Sequence, residues 1–246
     1  MTASLFDLSG KIALVTGGSR GLGRQMVLAF AAAGADVVIA SRKIGNCEEV
    51  AGEVRALGRN AAAYAVNASN WTEMERLAEA VYQQFGRIDI LINNAGMSPA
   101  VPSHDIDEIL FDKIVSLNFK GPFRLAAIVA ERMREGEGGT IINISSSGAL
   151  IPLPQVVPYA AAKAALNAMT VSFAREYGPS VRVNAISAGP FLTDIAAAWP
   201  EENRRTAPNS LGRPGRPEEI VTTALYLASL ASSFTTGAII RCDGGM

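Results

Sequence analysis

Short, mostly apolar runs recur along this chain, separated by longer stretches in which apolar positions fall three or four apart. The runs are Ile12 to Val15, Val37 to Ala40, Ala62 to Val66, Ile90 to Ile92, Thr140 to Ile144, Val181 to Ala185 and Ile239 to Ile240. Between them lie Gly23 to Ala33, Glu48 to Leu57, Trp71 to Phe85, Phe111 to Arg134 and Ala160 to Tyr177, all amphipathic or alanine-rich and of helical length. A strand that is apolar at every position is buried on both faces, and the intervening helices supply the cover. The pattern therefore predicts an α/β fold, a doubly wound parallel sheet of about seven strands with helices on both faces and right-handed crossovers. Ligands of such sheets bind at the carboxyl ends of the strands.

No repeat, linker or second domain interrupts the pattern, so residues 1–246 are expected to form one domain. The stretch from Thr193 to Gly215 departs from it, with Trp199, three prolines and several charges, and is expected to act as a lid. Composition narrows the class further. With 49% hydrophobic and 18% charged residues the chain is not disordered, and a net charge of -1 without a basic block gives no nucleic-acid surface. The N-terminal MTASLFDLSGK lacks a signal-peptide pattern, and no apolar stretch reaches the roughly 18 residues of a membrane span, so a soluble cytoplasmic protein is expected. Cys47 and Cys242 are isolated and His104 is the sole histidine, which leaves no metal site or histidine triad to expect.

Chemistry gathers at the strand exits. The first run leads into Thr16-Gly17-Gly18-Ser19-Arg20-Gly21-Leu22-Gly23, a turn whose glycines let a pyrophosphate approach backbone N–H groups at a helix start. After the second run, where an acidic residue would hold an adenosine ribose, stand Ser41 and Arg42. Two guanidinium groups, Arg20 and Arg42, suit a 2′-phosphate, and NADP is favoured over NAD. Asp36 precedes its strand and is poorly placed for the ribose. The fourth run closes on Asn93-Asn94-Ala95-Gly96, small and amide residues that would let the backbone pass close to a cofactor.

Tyr159 and Lys163 lie four apart on a helix and so share one face. A phenol titrates near 10, and a neighbouring cation would lower that value, making the group useful for proton exchange near neutrality. Ser146 stands thirteen residues before Tyr159 at the exit of the preceding strand, where its hydroxyl could meet the same substrate oxygen. Ser145 is the alternative serine, and the spacing favours Ser146. By itself a tyrosine and lysine so spaced is a common coincidence, and its weight comes from the company it keeps.

Taken in order, TGGSRGLG, NNAG, Ser146 with Y-A-A-A-K, and Asn184-Ala185-Ile186-Ser187-Ala188-Gly189-Pro190 resemble the short-chain dehydrogenase/reductase family over practically the whole chain, and its 3-oxoacyl-carrier-protein reductase-like members in particular. The resemblance implies a single Rossmann-type domain assembled as a homotetramer. It implies Tyr159 as acid/base, Lys163 on the nicotinamide ribose, Ser146 on the substrate carbonyl and Asn118 in a proton relay. It places the cofactor against Gly17, Ser19, Arg20, Gly21, Leu22, Gly23, Ser41, Arg42, Asn94, Ala95, Gly96, Tyr159, Lys163, Gly189, Phe191 and Thr193. Two positions depart from the family pattern: Asn67 replaces an aspartate beside the adenine, and Ala188 replaces a proline. Asn67 is still expected to contact the adenine, and Ala188 to loosen the carboxamide contact.

The expected reaction is hydride transfer between NADP and a ketone or secondary alcohol, with a small-molecule carbonyl substrate held by Ser146, Tyr159, Met97 and Gln155. Ser98, Leu150, Pro190 and Trp199 complete mostly apolar walls suited to an uncharged carbonyl compound such as a 3-oxoacyl thioester, while Arg204 and Arg205 on the lid could receive an anion. A polyol or sugar dehydrogenase is the enzymatic alternative. A redox sensor that binds nucleotide without turnover, or a structural subunit of a hetero-oligomer, belongs to a different class.

Overall fold

The structure is a computed structural model that describes residues 5–194, 196 and 199–246. Among these residues seven strands form one parallel sheet in the order β3-β2-β1-β4-β5-β6-β7. They are β1 (Ile12–Thr16), β2 (Asp36–Ser41), β3 (Ala61–Ala65), β4 (Ile90–Asn93), β5 (Gly139–Ser146), β6 (Val181–Ala188) and β7 (Ile239–Cys242). The helices are α1 (Gly21–Ala32), α2 (Ile44–Ala56), α3 (Trp71–Phe85), α4 (Glu108–Val115), α5 (Gly121–Glu135), α6 (Val157–Glu176), α7 (Glu201–Arg205) and α8 (Val221–Ala228).

Successive side chains of a strand point to opposite faces, and the apolar runs divide accordingly. Ala13, Val15, Val37 and Ile39 join the core under α1, α2 and α8, with Met26, Phe30, Val50 and Leu227. Ile12, Leu14, Val38 and Ala40 join the opposite core under α3, α5 and α6, with Leu77, Val129, Leu166 and Phe173. Each fully buried side chain of this size contributes roughly 1.5–3 kcal/mol, so the central strands are held from both sides.

The chain leaves β1 toward β2 and β3, then returns to place β4 on the other side of β1, with Thr16 opposite Asn93. The strand order reverses there, opening a crevice at the carboxyl ends of β1 and β4. The glycine turn and the Asn94-Ala95-Gly96 segment flank it.

The expected helix from Phe111 to Arg134 is not continuous. A π turn over Ser116–Lys120 separates α4 from α5, and Gly121 N–H bonds to the Ser116 carbonyl five residues back. Pro122 has no N–H to give the Asn118 carbonyl, so the regular helical ladder cannot run through this point. A Cβ on Gly121 would lie 1.7 Å from the Ala68 carbonyl, so the turn presses against the segment after β3. Several boundaries also differ from the sequence reading: α2 starts at Ile44, α6 at Val157, and β6 runs on to Ala188. Helices α7 and α8 were absent from that reading because each is short. Among the described residues no helix is long and apolar enough to cross a membrane.

Candidate active site

The glycine turn is shaped by its neighbours. Asn94 donates from Nδ2 to the Thr16 and Gly17 carbonyls, each at 3.1 Å, and its backbone N–H donates to Thr16 Oγ1 at 3.1 Å. Thr16 Oγ1 also accepts from Ala95 N–H and donates to the Ile92 carbonyl. The two loops at the crevice are thus buttoned together by Thr16, which the sequence motif includes without a role. Space for this contact exists only because Gly17 and Gly23 lack side chains. A Cβ on Gly23 would stand 2.2 Å from the Gly17 carbonyl and 2.5 Å from Asn94 Nδ2. Gly17 and Gly21 have φ of 66° and 53°, the left-handed region that glycine reaches without strain. Ser19 is buried, Leu22 packs on the core beneath, and Arg20 is exposed. The geometry fits a pyrophosphate: a glycine turn with left-handed Gly17 and Gly21 at the start of α1.

Beyond β2 and β3 a cavity of about 330 Å³ is lined by Arg42, Ala65, Val66, Asn67 and Glu73. Arg42 and Asn67 are thereby brought to one place, while Ser41 ends β2 and pairs with Ala65. Arg20 goes elsewhere, to an ion pair with Asp194 at 3.2 Å. Asp36 lies at the opposite end of β2, paired with Arg59 at 2.8 Å, away from the crevice.

Ser146 ends β5, Tyr159 lies in the first turn of α6, and Lys163 follows one turn later. A Cβ placed on Gly148 would meet Ser146 Oγ at 3.4 Å and Tyr159 Cε1 at 4.0 Å, so the hydroxyl and the ring converge on that glycine. Ser146 Oγ accepts from Gly148 N–H at 3.1 Å and stands near enough to the phenol to favour its ionised form. Ser145 is turned away, its hydroxyl donating to the Lys163 carbonyl at 3.4 Å. Lys163 is buried, its Nζ donating to the Ile144 carbonyl at 2.8 Å and lying 5.9 Å from the Tyr159 ring centre.

Asn118 is fully buried in the π turn and donates from Nδ2 to the Met97 and Ile114 carbonyls, each at 2.9 Å. Its Oδ1 is buried without a partner among the described residues. A Cβ on Gly96 would lie 2.8 Å from that Oδ1 and 3.7 Å from Lys163 Nζ, so both groups address the space over Gly96. An orphaned acceptor near a buried ammonium is a place for an ordered water.

The electrostatics differ from the sequence expectation in one respect. Burial pushes the Tyr159 phenol above its ordinary value, opposed by the nearby Ser146 hydroxyl. Burial also lowers the Lys163 ammonium to about 8. Desolvation outweighs the influence of Ser146, and Lys163, 5.9 Å from the ring centre, does not offset it.

The segment after β6 is tied down more firmly than Ala188 in place of a proline suggests. Gly189 N–H donates to the Cys242 carbonyl, and Gly189 is so close to Asp243 that a Cβ would lie 2.5 Å from its Cα. Phe191 is buried and bridges to Gly215 through Leu192 N–H to the Gly215 carbonyl and Gly215 N–H to the Pro190 carbonyl. The expected lid is therefore a loop with a closed stem. Its far side docks on the C-terminal residues, with Asn209 donating to the Asp243 carbonyl and Ser210 to the Gly245 carbonyl. Positions 195, 197 and 198 of the lid lie outside the described residues. Thr193 sits against the glycine turn, 3.4 Å from a Cβ on Gly21. Arg204 donates to the Trp199 carbonyl and Arg205 pairs with Glu201. Among the expected substrate walls, Met97, Ser98 and Trp199 are half-buried and Leu150 exposed. Gln155 is exposed with φ of 65°, and its carbonyl accepts from Val101 N–H.

A nucleotide cradle beside groups able to exchange a proton with an alcohol or a carbonyl marks a nicotinamide-dependent oxidoreductase. The family model described as short chain dehydrogenase matches residues 11–204. The chain is 35% identical to the 3-oxoacyl-(acyl-carrier-protein) reductase FabG of Thermotoga maritima, over 97% of this chain and 98% of that protein. It is also 35% identical to the 2-dehydro-3-deoxy-D-gluconate 5-dehydrogenase of Pseudoalteromonas atlantica, over 98% and 97%. A solved structure from Beutenbergia cavernae, provisionally assigned as an NAD(P)-dependent gluconate 5-dehydrogenase and carrying NADP at low occupancy, superposes with a TM-score of 0.91 at 30% identity, covering 98% of each chain. This chain belongs to the short-chain dehydrogenase family, oxidoreductases that act on CH–OH groups with nicotinamide cofactors.

Proposed function

We propose that the chain is an NADP-dependent enzyme that interconverts a ketone and a secondary alcohol, with Tyr159 as general acid and base. The observation that carries this reading is the convergence of the Ser146 hydroxyl and the Tyr159 ring on Gly148, one helical turn from a buried lysine. Gly17, Ser19, Gly21, Leu22 and Gly23 would hold the pyrophosphate, and Arg42 with Asn67 the adenosine end. Asn94, Ala95, Gly96, Lys163, Gly189, Phe191 and Thr193 would hold the nicotinamide end. When bound, the dinucleotide supplies or accepts the hydride. Ser146 donates a hydrogen bond to the substrate oxygen, Tyr159 passes its proton to that oxygen in reduction and takes it back in oxidation, and Lys163 resupplies Tyr159 through a water held by Asn118 Oδ1. The unpartnered Asn118 Oδ1 beside the ammonium supports that relay.

Preference for NADP is supported by Arg42 in the cavity after β2 and the lack of a carboxylate at Ser41. Arg20 joins only by leaving Asp194. An uncharged, hydrophobic carbonyl compound such as a 3-oxoacyl thioester is the substrate class, supported by Leu150, Ile151 and Leu153, exposed on the loop that leads to Tyr159. A polyol or sugar acid is the second reading, favoured by the gluconate dehydrogenases among the relatives. The chain works as a single catalytic domain with 193–215 as the substrate lid, in the cytoplasm, as a homotetramer.

Replacing Tyr159 by Phe tests the mechanism. Turnover on a panel of ketones and alcohols, followed by nicotinamide absorbance, is expected to fall by about three orders of magnitude or more, while nucleotide binding stays within about threefold. Full activity in the variant would remove the mechanism. Binding without consumption by the wild type across the panel would favour a sensor.

A further inference from the structure

The cavity beyond β2 and β3 contains one carboxylate that the proposed reaction does not use. Glu73, at the third position of α3, accepts the Asn67 backbone N–H on Oε2 at 2.6 Å, and its Oε1 has no hydrogen-bond partner among the described residues. Asn67 lines the same cavity, but its carboxamide is already oriented. Oδ1 accepts from the Ser69 N–H at 3.2 Å and from the Ser69 hydroxyl at 2.8 Å. Because the Ser69 N–H can only donate, the oxygen must face it, and Asn67 is left with its Nδ2 amide to offer. Where the family pattern has the acceptor of an aspartate, this cavity therefore presents a donor at Asn67 and an acceptor at Glu73.

Adenine carries a donor amine flanked by ring nitrogens that accept. We infer that Glu73 reads the adenine of the bound dinucleotide, taking its exocyclic amine on Oε1 while the Asn67 amide donates to a neighbouring ring nitrogen. The assignment rests on the reading of this cleft as a dinucleotide site. An ionised acceptor makes a stronger hydrogen bond than the neutral amide it replaces, so the departure at Asn67 is compensated from the next helix. Arg42 on the same lining balances the charge and remains available to a phosphate.

Reduced NADP and its deamino counterpart, in which hypoxanthine puts an oxygen where the amine was, separate the possibilities by fluorescence titration. The wild type is expected to bind the adenine form about tenfold or more tightly, since the hypoxanthine oxygen meets a carboxylate. Glu73→Gln keeps an oxygen for the Asn67 N–H and turns an amide donor toward the base, so the preference should shrink to within about threefold or reverse. An unchanged preference in Glu73→Gln, with both affinities lowered together, would overturn the assignment and leave the dinucleotide site standing. Failure of the wild type to bind either nucleotide would overturn both. The denaturation midpoint of the variant, expected to match the wild type, separates loss of recognition from loss of folding.

Discussion

At the scale of single residues, the site keeps its chemistry at a cost to the fold. Lys163 titrates at about 8 because it is buried, against 10.5 in the unfolded chain. Below pH 8 both states hold the proton, and the folded state carries the full penalty of a dry ammonium, about 3 kcal/mol. Between pH 8 and 10.5 the unfolded chain keeps a proton that the folded chain has released, so stability rises with pH across that window. The phenol, pushed above its ordinary 10, works in the opposite sense only at higher pH. Lys163→Met is therefore expected to be more stable than the wild type at pH 7 by about 2 kcal/mol, after allowing for the lost bond to the Ile144 carbonyl. Denaturant midpoints at pH 7 and 9.5 check this. The gap should narrow at the higher pH, and a gap of constant size would mean that the charge is not its source. Of this site the sequence made Tyr159, Lys163 and Ser146 legible, since helical and strand periods fix which side chains share a face. The roles of Glu73 and Thr16 were hidden, because nothing in a sequence says which carboxylate reaches across a turn or which threonine closes one.

At the scale of elements, the same substitution has opposite outcomes in neighbouring helices. Gly23 lies in the first turn of α1 with its missing Cβ directed at the Gly17 carbonyl, whereas Gly52 lies within α2 with nothing inside 4 Å of that position. Gly52→Ala is expected to stabilise the protein by about 1 kcal/mol through helix propensity alone. Gly23→Ala must displace the turn or the Asn94 side chain that holds it, and nucleotide binding should fall by more than about a hundredfold, or about 3 kcal/mol. Thermal midpoints and fluorescence titration of the two variants measure both effects, and a Gly23→Ala protein that binds normally would show that the cradle is not built by this contact. The glycine turn and the strands around it were readable from the order of apolar runs. The break between α4 and α5 was not, because one inserted residue barely alters an apolar pattern over so long a segment. Its signs were Pro122 and Gly121 following a buried amide, and these acquire meaning only once Ala68 is known to lie against the turn.

At the scale of the whole molecule, the parallel sheet with helices on both faces followed from the alternation of strands and helices, but the surfaces left over did not. Apolar residues of a helix read alike whether they face the core or another chain. The structure separates them: Ile109 is 80% exposed on α4 and Val157 50% exposed on α6, and a groove of about 520 Å³ lined by Ile106, Phe111, Val157 and Pro158 together with Ser103, Asp107, Glu108 and Asp112 lies between the two helices. At the other end Leu230 is 82% exposed and Phe234 fully exposed, beside the edge strand β7. Two separate apolar patches on one chain suit an assembly with two kinds of two-fold contact, as a tetramer of dihedral symmetry requires. Val157→Glu and Phe234→Glu should each leave dimers in light scattering at micromolar concentration, and the double variant monomers, because a carboxylate buried without a partner in a two-fold contact is repeated across the axis. A wild-type monomer would sink the assembly. A tetramer that survives both changes would move its contacts to other faces, since neither patch could then lie at the centre of an interface.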